Sequence, residues 1–166
     1  MKLLTAFGHP VHQSLTDIPV GLWIACFVWQ WVAQVAGAEF WWAVAFWTLL
    51  AGLVAALPVA ATGLYDFLRI PREHPAKAVA IYHLVTNGAA TVCFAGSLLA
   101  QSGPNAPEPQ NLFATLASST LGVVLLGVGS WYGGELVLRY GIGRLVPEPY
   151  LGPERRARPR EMVHPG

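Results

Sequence analysis

Charged residues are scarce in this sequence. Only 11% of its 166 residues are Asp, Glu, Lys or Arg, whereas about a quarter are charged in a typical soluble domain. Because 54% of the residues are hydrophobic, the chain has too few polar residues to give a soluble globule its surface. The net charge of +1 gives no reason to expect nucleic acid as a partner. An ordinary soluble domain and a nucleic-acid-binding protein are therefore excluded.

Cysteine is also scarce, and the usual catalytic signatures are missing. The two cysteines, Cys26 and Cys93, lie inside apolar stretches, so neither a disulfide framework nor a CxxC metal site is available. The sequence shows no nucleophile beside a base and no cofactor fingerprint, so we do not expect this chain to turn over a substrate alone. No small-residue cleavage site follows the first apolar run, which argues against a removable signal.

Long apolar runs are what the sequence does contain. Four of them are about as long as the roughly 20 residues that span a bilayer. All ten Lys and Arg residues lie outside these runs or at their ends, in the two tails and the middle loop, which marks that side as cytoplasmic. We predict an all-α, integral membrane four-helix up-and-down bundle with both termini inside. The predicted spans are residues 10–36, 40–69, 77–101 and 112–140 of a domain covering 1–145, followed by a basic, flexible cytoplasmic tail, 146–166.

Up-and-down threading brings most of the polar side chains to one level. The start of each odd helix and the end of each even helix meet near the cytoplasmic face. Ionisable groups inside a span are costly, so their presence raises the hypothesis of a functional site. The residues concerned are His9, His12, Asp17, Thr62, Asp66, His83, Asn87, Trp131, Glu135 and Arg139.

Part of this polar cluster has a simpler interpretation. Glu135 lies four residues before Arg139, and Asp66 three before Arg69, so either carboxylate could form an ion pair at the interface. His83 could be a satisfied core residue that donates to Asp66 or Asp17.

Two chemistries could use the histidines. His12 and His83 are the candidate axial ligands of a b-type haem, with His9 as a substitute, since membrane four-helix bundles suit this cofactor. Asn87 and Trp131 would then line the site, and Asp66 and Glu135 would tune it. Alternatively, imidazoles and carboxylates together could bind zinc or iron, through His9, His12, Asp17, Asp66 and His83.

Three further expectations follow from position along the helices. Counting residues from the predicted helix ends places Asp17 at the same depth as His83. It places His12 more than one turn nearer the cytoplasm. Helix one would therefore have to shift or unwind around Pro10 for the rings of His12 and His83 to meet. The small residues Gly129 and Gly133 allow close helix approach, within the chain or in a homo-oligomer. We identify no internal repeat and no broken helix that would favour a transporter.

Several motifs resemble the bacterial membrane-protein family catalogued as domain of unknown function 2231. They are Gly8-His9-Pro10-Val11-His12, Gly63-Leu64-Tyr65-Asp66, His83 with Asn87, and Trp131-Tyr132-Gly133-Gly134-Glu135-Leu136-Val137. The resemblance covers residues 8 to 145 and implies four membrane helices. Some relatives are joined to Rieske-type or cytochrome-like domains, which implies a redox role. Gln13, Asp17 and Tyr140 depart from residues common in the family, which often has histidine at the last two positions.

The functional hypothesis from sequence is a small redox protein or membrane-anchor subunit of the bacterial inner membrane. It would hold haem b near the cytoplasmic face and exchange electrons with a partner protein or a quinone. The alternatives are a structural or assembly subunit without cofactor, and a metal-binding or small-solute transport protein.

Overall fold

Four helices make up nearly all of the computed structural model, which describes residues 3–143. A short antiparallel hairpin, β1 (Thr5–Ala6) and β2 (His9–Pro10), precedes α1 (Val11–Ala36), α2 (Glu39–Leu68), α3 (Ala76–Gln101) and α4 (Pro109–Leu138). The predicted all-α four-helix membrane bundle is confirmed, and most helix bounds agree to within one residue. The predicted tail 146–166 lies outside the described residues.

The last helix differs most from prediction, because it begins and ends earlier. Pro109 occupies its first turn, where a missing backbone N–H costs nothing. At the other end Gly141 adopts a left-handed conformation (φ 66°), and the Ile142 amide donates to the Leu136 carbonyl at 2.8 Å. This glycine-based cap ends the helix before Tyr140.

All four helices are long and apolar enough to cross a membrane. Many of their large hydrophobic side chains point outward, including Val35, Trp47, Leu57, Val92, Leu99 and Phe113. An apolar outer surface of this extent suits lipid and not water. The protein is therefore a membrane protein in contact with the bilayer.

The bundle is built as two helical hairpins. α1 packs closely along α2, and α3 along α4, whereas α2 meets α3 and α1 meets α4 along two much thinner seams. The hairpins are joined at mid-height by Trp23 of α1, which stacks on Phe94 of α3 with ring centres 4.8 Å apart and an 18° interplanar angle. The seams leave room between the hairpins, on the side of this aromatic pair where α1 and α3 begin.

The two hairpins repeat each other in their buried positions, a correspondence that inspection of the sequence does not identify. Four buried residues of α1 each have a buried counterpart in α3 at one constant distance along the sequence. The same distance separates His12 from His83. The buried pairs are Pro19 and Ala90, Trp23 and Phe94, Cys26 and Ser97, and Gln30 and Gln101.

The even helices show a matching repeat. Four buried residues of α2 each have a buried counterpart in α4 at one constant distance along the sequence, and the same distance separates Gly63 from Gly133. The buried pairs are Ala45 and Thr115, Leu49 and Ser119, Gly52 and Gly122, and Ala56 and Leu126. Six of the ten pairs in the two sets differ in residue type, which makes the repeat hard to find by inspection of the sequence. The fold thus has a pseudo-two-fold axis along the membrane normal, and it passes between the two hairpins.

The orientation of the bundle can be tested with single cysteines. In a Cys26→Ser, Cys93→Ala background, we expect a cysteine at exposed Glu73 to react with a membrane-impermeant maleimide only after the cytoplasmic side is opened. A cysteine at Asn105, in the loop before α4, should react from outside. Serine is a suitable replacement at position 26 because Ser97 occupies the pseudo-equivalent buried position. Reversed labelling would contradict the predicted cytoplasmic termini.

Candidate functional site

Each hairpin seats one histidine ring against a glycine of its second helix. A Cβ atom on Gly63 would lie 2.6 Å from His12 Cε1, and one on Gly133 would lie 3.0 Å from His83 Cε1. The contact at Gly63 is too short for any side chain unless the ring shifts, and the contact at Gly133 is tighter than an ordinary Cβ contact. His12 and His83 therefore occupy pseudo-equivalent notches, one formed by α1 with α2 and the other by α3 with α4.

The same hydrogen bond orients both rings. His12 Nδ1 lies 3.0 Å from the carbonyl oxygen of Val59, and His83 Nδ1 lies 2.8 Å from that of Gly129. A carbonyl oxygen can only accept, so each Nδ1 must carry the proton and donate. Each neutral ring then has its free lone pair on Nε2, the arrangement typical of histidines that bind metals. Neither Nε2 has a hydrogen-bond partner within residues 3–143.

The two rings are close together on the axis between the hairpins. Their centres are 6.4 Å apart, and their planes are at 89°. The expectation that Asp17 lies level with His83 and that His12 is more than a turn away is therefore wrong. The reason is that α1 begins at Val11, immediately before His12, whereas α3 begins at Ala76, well before His83. The residues ahead of α1 form the β1–β2 hairpin instead of further helical turns.

A cavity of about 420 Å³ surrounds the histidine pair, within the range of small-molecule sites. It extends from a mouth at the end of the bundle where α1 and α3 begin to Trp23, and most of its surface is apolar. Leu3 and Ile142 lie at the mouth. The Leu4 amide donates to Asp66 Oδ1 at 2.9 Å, which fastens the amino-terminal segment across this end of the bundle.

Three other predicted residues also line the cavity. The Asn87 side-chain amide donates to the His83 carbonyl oxygen at 2.8 Å, and Asn87 fits against Gly129. The Asp66 carboxylate accepts a hydrogen bond from the Leu4 amide and does not pair with Arg69. The Arg69 guanidinium lies 4.2 Å from the centre of the Tyr65 ring instead. Asp17 faces the cavity without a hydrogen bond or ion pair to any described residue.

The structure does not bring the remaining predicted residues to the site. Trp131 is 71% exposed, because it lies two residues from both Gly129 and Gly133 and so on the opposite face of α4. Glu135 pairs with Arg139 at 3.8 Å, as the simpler interpretation predicted, and neither lines the cavity. His9 is exposed on β2, with Nδ1 3.1 Å from the Phe7 carbonyl oxygen.

The five-residue metal set from the sequence does not form either. Within residues 3–143, no group of three or more His, Cys, Asp or Glu residues is placed to hold a metal ion. His9 lies apart, and the Asp66 carboxylate is engaged by Leu4. The two facing imidazoles are the part of that set that the fold assembles.

Sequence reasoning missed several contributors to the site. The carbonyls of Val59 and Gly129 fix the ring tautomers, and Gln13 and Ser130 line the cavity. One signal was available: each even helix carries two glycines at the same separation, Gly52 with Gly63 and Gly122 with Gly133. All four face aromatic or imidazole rings of the partner helix.

The arrangement of four membrane helices around a histidine pair can now be compared with known families. Residues 8–145 match the model of a family described as predicted membrane protein, DUF2231. The chain belongs to this family. The match begins just before β2 and includes all four helices, so His12, His83 and the two glycines that face their rings, Gly63 and Gly133, lie inside the family domain of this DUF2231 protein. No curated protein and no solved structure matches the chain.

Proposed function

We propose that this DUF2231 protein is a small redox protein, or the membrane-anchor subunit of a redox complex, in the bacterial cytoplasmic membrane. In this proposal it holds a b-type haem between His12 and His83 near the cytoplasmic face. The observation that carries the proposal is the pair of pseudo-equivalent imidazoles, each with Nδ1 bonded to a carbonyl and Nε2 free, inside one cavity. The electron partner would be a protein or a quinone.

The distance between the rings suits two ligands of one ion. An imidazole nitrogen binds a metal at about 2.0–2.1 Å, so rings on opposite sides of an ion have their centres roughly 6 to 6.5 Å apart. The separation of 6.4 Å falls in this range. The pseudo-two-fold axis adds a second argument, because it presents the same group from both sides to a site on the axis.

The number of protein ligands favours haem over a bare metal ion. A structural zinc site needs about four protein ligands, whereas a porphyrin supplies four nitrogens and leaves two axial positions for the protein. The apolar cavity walls would suit a macrocycle. When bound, the group supplies one-electron transfer at its iron.

Residues of this chain can also be assigned supporting roles. The carbonyls of Val59 and Gly129 would hold the rings in the ligating tautomer. Asn87 would restrict the orientation of His83, because its side-chain amide donates to the His83 carbonyl oxygen within the same turn of α3. Near the mouth, the Lys77 ammonium donates to the carbonyl oxygen of the cavity-lining Phe67 at 2.8 Å and would fix this part of the wall.

An absorption spectrum tests the proposal directly. We expect protein purified in detergent from haem-supplied cells to show a Soret band that shifts on reduction, with one haem per chain. Electron paramagnetic resonance of the oxidised protein should give the low-spin signal of two imidazole ligands. A colourless protein from such cells would overturn the proposal and leave a structural or assembly subunit as the better interpretation.

A further inference from the structure

Residues that line the cavity are also exposed at both thin seams, Asp17 at the α1–α4 seam and Gly88 at the matching position of the α2–α3 seam, so we infer a side opening in each. Gln13 of α1 donates from its side-chain amide to the Ile142 carbonyl oxygen, beyond the end of α4, at 3.3 Å. The face of α1 that carries Gln13 therefore lies at the seam between α1 and α4. Asp17 lies one helical turn further on the same face, and it is both exposed and part of the cavity lining.

The two openings differ in chemistry although they are equivalent in position. Around the α1–α4 seam the cavity is lined by Gln13, Asp17 and Ser130. The repeat places Leu84, Gly88 and Ala60 at the matching positions around the α2–α3 seam, and these also line the cavity. At these three positions one opening thus carries an amide, a carboxylate and a hydroxyl, and the other carries no polar side chain. The Thr91 hydroxyl, which also lines the cavity on α3, is already bonded to the Asn87 carbonyl oxygen at 2.8 Å.

Asp17 is not explained by the packing of the bundle. It lies about 7 Å deeper along α1 than His12, at 1.5 Å per residue, and it has no hydrogen bond or ion pair within residues 3–143. A carboxylate inside a span is costly unless it has a partner or a function. An ionised carboxylate only accepts hydrogen bonds, so its partner must be a donor, and an anionic ligand would be repelled.

We propose that the seam between α1 and α4 binds the head group of a lipid-soluble hydroquinone, with a ring hydroxyl donating to Asp17. The opening faces the bilayer, so its ligand arrives from lipid and carries an apolar tail. A hydroquinone is a neutral donor that fits a carboxylate acceptor, and Gln13 and Ser130 complete a polar head-group site. This inference rests on the proposed redox function, for which a hydroquinone is a membrane-borne electron source.

A photoreactive probe can test this site in the full-length protein. Protein from haem-supplied cells would be placed in phosphatidylcholine nanodiscs and labelled with a short-tailed azido-hydroquinone. We expect saturable labelling of peptides from α1 and α4, and an apparent Kd raised about tenfold or more in Asp17→Ala, because a hydrogen bond to a charged group is lost. Glu73→Gln, which removes an exposed loop carboxylate, should bind the probe as the native protein does.

Three results would overturn the proposal. They are equal labelling of the α2–α3 seam, an unchanged Kd in Asp17→Ala, or displacement of the probe by phosphatidylethanolamine, which would identify a lipid amine as the occupant. The Soret band is read on the same samples. Haem without Asp17-dependent probe binding contradicts this inference alone, whereas Asp17-dependent binding in a colourless protein contradicts the redox function and leaves the hydroquinone site standing.

Discussion

His83→Ala and His12→Ala should each abolish the Soret band. The two imidazoles occupy pseudo-equivalent notches, and each Nδ1 donates a hydrogen bond to a carbonyl oxygen. We therefore expect haem binding to depend equally on both. We expect neither single variant to retain the low-spin bis-imidazole signal. The measurement is the haem-to-protein ratio together with the electron paramagnetic resonance spectrum of each purified variant.

The controls for this experiment are the other histidines of the described chain. His9 is exposed on β2, and His74 lies in the loop before α3, where its Nδ1 accepts from the Ala76 amide at 3.1 Å. Both alanine variants should keep a full Soret band. Loss of haem in His9→Ala with retention in His12→Ala would show that the wrong amino-terminal ligand has been assigned. Addition of imidazole to His83→Ala should restore part of the band if the cavity itself is intact.

Gly63→Ala should destabilise the protein and remove most of its haem, although alanine normally favours a helix. In an open helical position this exchange stabilises by up to about 1 kcal/mol. At Gly63 the new methyl would lie 2.6 Å from His12 Cε1 and 2.9 Å from Nδ1, so the ring must leave its notch and lose its bond to Val59. Overpacking of this kind costs about 1–3 kcal/mol. Reversible unfolding in mixed micelles measures it.

Comparison of three glycines makes this prediction specific. Gly133→Ala should be milder than Gly63→Ala, because its Cβ would lie 3.0 Å from His83 Cε1. Gly134→Ala, one residue further along α4, meets nothing within 4 Å and should leave stability and haem content unchanged or slightly raised. Equal effects at Gly134 and Gly63 would mean that helix flexibility, and not the space for the ring, explains the glycines.

The architecture could be predicted from the sequence because the bilayer imposes it. Four apolar runs of spanning length, with basic residues confined to alternate connections, leave few arrangements other than an up-and-down bundle. The inward faces were harder to predict. A helix in lipid is apolar all round, so periodicity does not separate the face that meets protein from the face that meets lipid. Trp131 was assigned to the site for this reason, although it faces outward.

The histidine pair was predicted, but its geometry was not. The depth count assumed that α1 and α3 begin at the same level, whereas His12, the second residue of α1, lies beside His83, the eighth residue of α3. The carbonyl partners on α2 and α4 also have no sequence signature, since any residue supplies a carbonyl. The notches leave one trace, the repeated separation of glycines, and it becomes informative only once the two hairpins are recognised as equivalent.

The matching hairpins also bear on ancestry. A single ancestral hairpin with one histidine would have had to pair with an identical copy to assemble two facing rings, and each change to one seam would have appeared in the other. Duplication and fusion of such a gene removes this constraint. In the fused chain one half has Asp17 where the other has Gly88, so the two sides of the histidine pair differ chemically.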